Sequence, residues 1–473
     1  MNHDLIKSFD FAGSSADVFE LFSGEAHLFF LDSSQVDLHR GRYSFIGFDP
    51  FDVFLHKGKD ALDLLKERFN RWFPHEAEDG HSLVTPLTAG AVGCLSYDYG
   101  LHQEKIRLRA EDDHLLPDCF FGFYDCIITI DHFAQKLHVT SCGPPAGAGH
   151  EREQKASRQL ARILKKLEPF LSGGVRCALA GADSYTGSSL QYEGSFSKEQ
   201  YLSAVRRVQD YIRAGDIYQV NLSQRFRFDL QGMPWNPGSL YRTLRHISPA
   251  PFGGYMDCGR FHLLSNSPER FLRLMDGVVQ TRPMKGTRPR GDNEQQDQRL
   301  RQELLNSAKE IAELLMITDL QRNDLGRVCE YGSVKVKEMR TLEEYPYVFQ
   351  TTSMIEGLLR QDKDCFDLLK ACFPGGSVTG CPKIRAMEII DELEPARRGM
   401  YTGCLGYINL AGNMDFNILI RTLVACRGRL SFHVGGGVVA DSSPADEYQE
   451  TLIKAQAMRR CLEMSFAHPV LLK

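Results

Sequence analysis

Residues 265–291, SNSPERFLRLMDGVVQTRPMKGTRPRG, hold a glutamate and a lysine in a setting that invites chemistry. Two runs of β-forming residues, 271–275 and 278–282, are separated by Asp276 and Gly277, a pair suited to a tight hairpin turn. The hairpin carries Glu269 at one end and Lys285 at the other. Pro283 and the 286–289 segment end the second strand, so Lys285 is expected to project from a stiff corner. An amine held there can act as a nucleophile. The competing interpretation is a basic patch for phosphate or nucleic acid, shared with Arg282, Arg288 and Arg290.

Carboxylates recur at a spacing of three on two predicted helices. The helix beginning at Ala308 places Ile311, Leu314, Leu315 and Thr318 on one face, with Glu310 and Glu313 on its flank. Near the C-terminus, Ser443 and Pro444 form a helix start, and Glu447, Glu450 and Lys454 share a face of that helix. Taken alone, such pairs are solvated i to i+4 salt bridges. Gly375 and Gly380 have the spacing of a phosphate loop, but Cys381 and Pro382 stand where Lys and Ser or Thr are needed, which disfavours nucleotide binding. Gly435, Gly436 and Gly437 allow close backbone approach, and their amides can face an oxyanion.

The elements that must position these groups belong to a globular chain. With 473 residues and 42% hydrophobic content it can bury a large core. A net charge of -5, from 56 basic and 61 acidic residues, argues against a general nucleic-acid binder. Thirteen cysteines without a CxxC pair suggest neither a disulfide framework nor a zinc site. The N-terminal residues lack a signal-peptide pattern, and no apolar run reaches the ~18 residues of a membrane span, so a cytoplasmic enzyme is expected. Strands are predicted in 29–54, 89–100 and 116–132. Residues 143–192 shift in composition: a flexible turn at 143–149, a charged helix over about 151–171, then Gly, Ser and Ala. Ser197 and Gln200 form a capping-box signal for a helix ending near Gly215.

The order of these segments resembles the chorismate-utilising enzymes, which carry a SPERF motif, here 267–271, followed by PxxGT, here 283–287. The resemblance covers most of 197–454 and more weakly the N-terminal third. Within the family, the residue before GT separates branches: anthranilate and isochorismate synthases usually have alanine, and the large subunit of aminodeoxychorismate synthase has lysine, here Lys285. Asn221 also matches the aminating branch, and Gln219 stands where isochorismate synthases carry the lysine that activates water. Many members have a histidine where this chain has Gln350, which leans away from pyruvate elimination and anthranilate synthesis.

The resemblance implies an α+β fold with large antiparallel sheets packed as a sandwich and helices outside. It divides the chain into an N-terminal lobe (1–142), a linker with a charged helix (143–192) and a chorismate-binding catalytic domain (193–466). It implies amination of chorismate at C4 to 4-amino-4-deoxychorismate, on the route to p-aminobenzoate and folate. Lys285 would be the nucleophile and Glu269 the general acid. The two ExxE pairs match the family's magnesium motif, with Glu313 and Glu450 as direct ligands and Glu310 and Glu447 holding the metal's waters. Gly286, Thr287, Thr379, Gly380, Tyr401, Arg421 and Gly435 to Gly437 match substrate-contacting positions. Ser33, Arg42, Tyr43, Ser44 and Phe45, with Pro249, Ala250 and Pro251 opposite, match the element that holds tryptophan in some members. This chain has no GxCxGxQ-like segment, so a separate glutamine amidotransferase subunit is implied as the ammonia source. The alternatives are anthranilate synthase component I, and a non-catalytic chorismate- or tryptophan-sensing subunit.

Overall fold

The computed structural model describes residues 5–38, 40–74, 84–144, 149–171, 190–230, 232–344 and 348–466. Two antiparallel sheets, of twelve and ten strands, form the expected α+β sandwich. In the first, N-terminal strands join the later half where Phe29–Asp32 pairs with Phe252–Asp257. In the second, Gly90–Leu95 pairs with Cys404–Asn409. The N-terminal lobe and the catalytic segment therefore share both sheets. The inner layer is apolar, with Phe29, Phe45, Ile127 and Leu263 of one sheet against Val92, Phe120 and Leu405 of the other. Each such side chain contributes roughly 1.5–3 kcal/mol by leaving water.

Helices cover the two outer faces. His150–Leu171 and Pro444–Phe466 pack on the first sheet, and Ala61–Trp72 and Cys365–Cys372 on the second. Their buried residues recur every three or four positions, as in Leu160, Ile163 and Leu167. The charged helix expected in the linker is thus docked, while 145–148 of the turn and 172–189 of the linker lie outside the described residues.

Local expectations meet the structure in different ways. Lys198–Ala214 has the full capping box, with Ser197 N–H donating to Gln200 Oε1 at 2.7 Å, and ends on Gly215 at φ 82°. Arg270–Met275 and Val278–Thr281 form the hairpin, and Asp276 (φ 49°) and Gly277 (φ 78°) take the left-handed conformations that a tight turn needs. The stiff corner at Lys285 is instead a strand, Met284–Pro289, paired with Val348–Leu358. Its register shifts between Lys285 and Thr287, where Gly286 at φ 76° makes a β-bulge. Residues Tyr97–Gln103 are helix and not strand, because Ser96 caps them by accepting from Tyr99 N–H.

Candidate active site

Four elements converge on Lys285. The bulged strand presents it, and the Thr351 hydroxyl fixes its carbonyl at 2.5 Å. Its Nζ lies 4.0 Å from Glu313 Oε2. It also lies 3.0 Å from where a Cβ on Gly437 would sit, and that Cβ would overlap the Gln219 amide nitrogen. Gly437 is glycine because the lysine and the glutamine occupy the space of its side chain.

Glu269 precedes the hairpin strand and is 4% exposed. It accepts from Ser377 Oγ at 2.6 Å. Burial pushes its carboxyl up to about 7, against the opposing pull of the Ser377 hydroxyl, the Lys285 ammonium and the Met284 amide. A carboxyl tuned in this way is part-protonated at neutral pH and can donate a proton. Ser377 was not singled out from sequence. It sits in the 374–380 glycine segment, whose spacing alone pointed only to a phosphate loop.

The ExxE pairs come together across two helices, Ala308–Gly326 and Pro444–Phe466. A Cβ on Gly436 would lie 2.9 Å from Glu447 Oε2 and 3.3 Å from Glu450 Oε1. Glu310 approaches Gly286 in the same manner, at 3.0 Å. The helix turns differently from its predicted stripe: Leu314, Ile317, Thr318 and Gln321 are buried with Glu313, while Leu315 is 54% exposed. Glu313 is therefore inside the protein, not on a solvated flank. Burial raises the Glu313 carboxyl, which Glu310 and Glu450 reinforce and Lys285 and Lys309 oppose.

Lys309, overlooked in the sequence although it lies four residues before Glu313, stands 4.0 Å from Glu313 and 3.8 Å from Glu447. Glu447 takes one hydrogen bond, from Ser442 Oγ at 2.7 Å, and its buried Oε2 has no partner among the described residues. Glu450 forms the i to i+4 bridge to Lys454 at 2.6 Å, and Glu310 faces Arg288 at 3.4 Å. Arg288 is thus engaged with a carboxylate. No three described carboxylates converge as a finished metal cage. The all-oxygen donor set and the orphaned Glu447 oxygen nonetheless suit a hard cation such as magnesium, which keeps several waters.

Thr379 is buried, and its carbonyl accepts from Asn221 N–H at 2.7 Å. Gly380 pairs with Val220 at the sheet edge, and Gly435 with Ser223. Tyr401 stacks on His433 at 4.9 Å with 9° between the rings. Arg398, not foreseen, is 3% exposed; it pairs with Glu394 at 2.7 Å and donates to the carbonyls of Val378 (2.8 Å) and Asn221 (2.5 Å). Arg421 enters the strand Thr422–Cys426 with its carbonyl accepting from Asn266 N–H at 3.1 Å. Thr287 lies opposite Gln350, whose Nε2 donates to its hydroxyl at 3.3 Å.

The geometry of a buried acid, a lysine and two carboxylate pairs coincides with a family match. The model for chorismate binding enzymes fits residues 27–460. The chain belongs to that family. Aminodeoxychorismate synthase component 1 of Bacillus subtilis (strain 168) is 37% identical over 444 residues, covering 90% of each chain. Anthranilate synthase component 1 of Thermus thermophilus is 41% identical over 409 residues, covering 86% of this chain and 84% of its own. Among solved structures, anthranilate synthase component I from Streptococcus pneumoniae TIGR4 superposes with a TM-score of 0.77 at 31% identity, covering 90% of this chain and 94% of its own.

The residues expected to match a tryptophan-holding element lie apart from this site. Ser33, Arg42, Tyr43, Phe45 and Pro251 line a separate cavity of about 1460 Å³. Ser33 Oγ donates internally to Tyr43 O at 2.7 Å, and Arg42 is bound to Asp131 at 2.7 Å. Ser44 turns to Asp32 and His132, and Ala250 closes onto Ser34. Pro249 and Ala250 are not part of the lining. Among the described residues no helix is long and apolar enough to cross a membrane.

Proposed function

We propose that this chorismate-binding enzyme aminates its substrate at C4 to give 4-amino-4-deoxychorismate. The observation that carries the reading is the placement of the Lys285 amine over Gly437 with Glu313 at 4.0 Å, beside a buried acid, Glu269, whose carboxyl the Lys285 charge pulls down against its burial. Lys285 adds to the ring at C2 while the C4 hydroxyl leaves, taking the Glu269 proton and departing as water. Ammonia then adds at C4 and the lysine amine is expelled, so the net change is replacement of hydroxyl by amine with loss of one water. Gln219 offers an amide where water activation would need a base, which supports amination over hydration.

Glu313 and Glu450, with Glu310 and Glu447 behind them, would hold magnesium, which would supply charge neutralisation for the substrate's ring carboxylate. Arg421, Tyr401 and the glycine amides would receive the rest of the dianion. The relatives are each named as component 1 of their synthase, which supports a partner subunit; a glutamine amidotransferase is the partner whose chemistry delivers ammonia.

The 41% identity to an anthranilate synthase favours a second reading, amination with pyruvate loss. One incubation separates them. With chorismate, magnesium and ammonium salt, the first reading expects an aminated product that retains its enolpyruvyl group and near-background pyruvate. Stoichiometric pyruvate with fluorescent anthranilate decides for the second. Without ammonia, peptide mapping should find a chorismate-derived adduct on Lys285, absent in Lys285→Ala. A Lys285→Arg variant as active as the parent would overturn the nucleophile, because a guanidinium keeps the charge and does not attack.

A further inference from the structure

The four carboxylates of the ExxE pairs come together across two helices, and like charges so placed repel unless cations hold them. Three basic residues each stand against the glutamates of one helix. Arg288 faces Glu310 at 3.4 Å, Lys285 faces Glu313 at 4.0 Å, and Lys454 bonds Glu450 at 2.6 Å. Lys309 stands against both helices. Its Nζ lies 4.0 Å from Glu313 Oε1 on its own helix and 3.8 Å from Glu447 Oε1 on Pro444–Phe466. The span matters because the two helices belong to different sheets. Ala455 and Met458 of one pack in the same core as Phe432 of the first sheet, and Gln321 of the other accepts from Thr281 Oγ1 of the second sheet at 2.9 Å.

Both Lys309 contacts are longer than a hydrogen bond, so they are attractions between charges without a fixed donor–acceptor geometry. The Lys309 side chain is 41% exposed and its ammonium rides on a flexible four-carbon stem, so it can turn to water at little cost. The carboxylates it faces have no such freedom: Glu313 and Glu447 are 8% and 4% exposed. Burial raises both carboxyls, and Lys309 is among the charges that oppose the rise in each. A loose, part-exposed cation is thus set against two buried anions that belong to the all-oxygen set suited to magnesium.

We propose that Lys309 is an exchangeable counter-cation of the metal site: its ammonium ties Glu313 to Glu447, and so one helix to the other, until a divalent ion binds, and is then released to solvent. It is a positioning residue. It keeps the carboxylates together for the ion and, by having to leave, sets how tightly the ion is held. The inference rests on the magnesium site proposed above and not on which of the two aminations the chain performs.

Lys309→Met keeps an unbranched side chain of good helix propensity and removes the charge. Two measurements on the full chain at constant ionic strength read the exchange: calorimetric titration with magnesium chloride, and urea denaturation in chelator and in saturating magnesium. With no cation to displace, the variant should bind magnesium about tenfold tighter than the parent. In chelator it should be less stable than the parent by the equivalent of that factor, about 1.4 kcal/mol. In saturating magnesium the two should be equally stable, because the lysine contributes only while the ion is absent. Lys309→Arg keeps the charge and should bind magnesium no tighter than the parent. A merely structural lysine predicts unchanged affinity and a deficit that persists in saturating magnesium. A lysine that helps to hold the ion's waters predicts weaker binding in Lys309→Met. Either result would overturn the exchange. If neither protein takes up magnesium saturably, the metal site itself falls and this role of Lys309 with it, whichever product the enzyme forms.

Discussion

Glu269 is buried beside Ser377 with its carboxyl raised to about 7, so a proton is available for a leaving hydroxyl near neutrality. As the acid, it requires turnover to fall as pH rises through that value, and Glu269→Gln to be inactive at every pH. The same burial has a stability cost of definite sign. The carboxyl is raised from 4.5, so its contribution is most favourable below 4.5 and is lost as pH rises through about 7. An uncharged glutamine removes that loss. Glu269→Gln should therefore melt higher than the parent at about pH 8.5, by on the order of 3 kcal/mol at most, and show no gain at about pH 4.5. Thermal denaturation at the two pH values checks it; an unchanged difference would place the charge elsewhere.

At the scale of elements, the strand Arg429–Val438 serves both halves of the site through consecutive glycines. Gly437 leaves room for Lys285 and Gln219, and Gly436 for Glu447 and Glu450. Gly436→Ala puts a methyl 2.9 Å from Glu447 Oε2, against a buried glutamate held by Ser442, where neither group yields freely. Magnesium titration of this variant should show a requirement raised about tenfold, and the strain should lower its stability by about 1–3 kcal/mol. Glu313→Gln and Glu450→Gln should abolish turnover, and chelation should do the same to the parent. Full activity of the parent in excess chelator would remove the metal from the proposal.

Across the whole molecule, Arg398 joins parts of the chain that the sequence keeps far apart. Its guanidinium binds Glu394, the Asn221 carbonyl and the Val378 carbonyl. It also lies 4.8 Å over the Tyr97 ring. Glu394 in turn accepts from Ser223 N–H at 2.8 Å and Ser223 Oγ at 2.9 Å. Removing one partner leaves a buried carboxylate and unmet carbonyls, so Arg398→Met should lose about 3–5 kcal/mol of stability, and Glu394→Gln alone a comparable amount. If the double variant loses no less than the sum of the singles, the two do not act as a pair. Urea denaturation of the three variants measures this.

Much was legible in the sequence because it is local. The hairpin over Asp276 and Gly277 and the box of Ser197 with Gln200 depend on residues a few positions apart, and their backbone preferences are decided there. The sandwich and the grouping of Glu269, Lys285 and the ExxE pairs came through the family's ordered motifs. What the linear chain withheld was direction and company. The stripe on Ala308–Gly326 has helical period whichever way it is turned, and only packing decided that Glu313 goes inside and Leu315 out. The corner at Lys285 became a bulged strand because Val348–Leu358, sixty-odd residues on, offered its edge. Ser377, Lys309, Ser442 and Arg398 are ordinary residues in sequence, and their roles arise from neighbours brought by tertiary contacts.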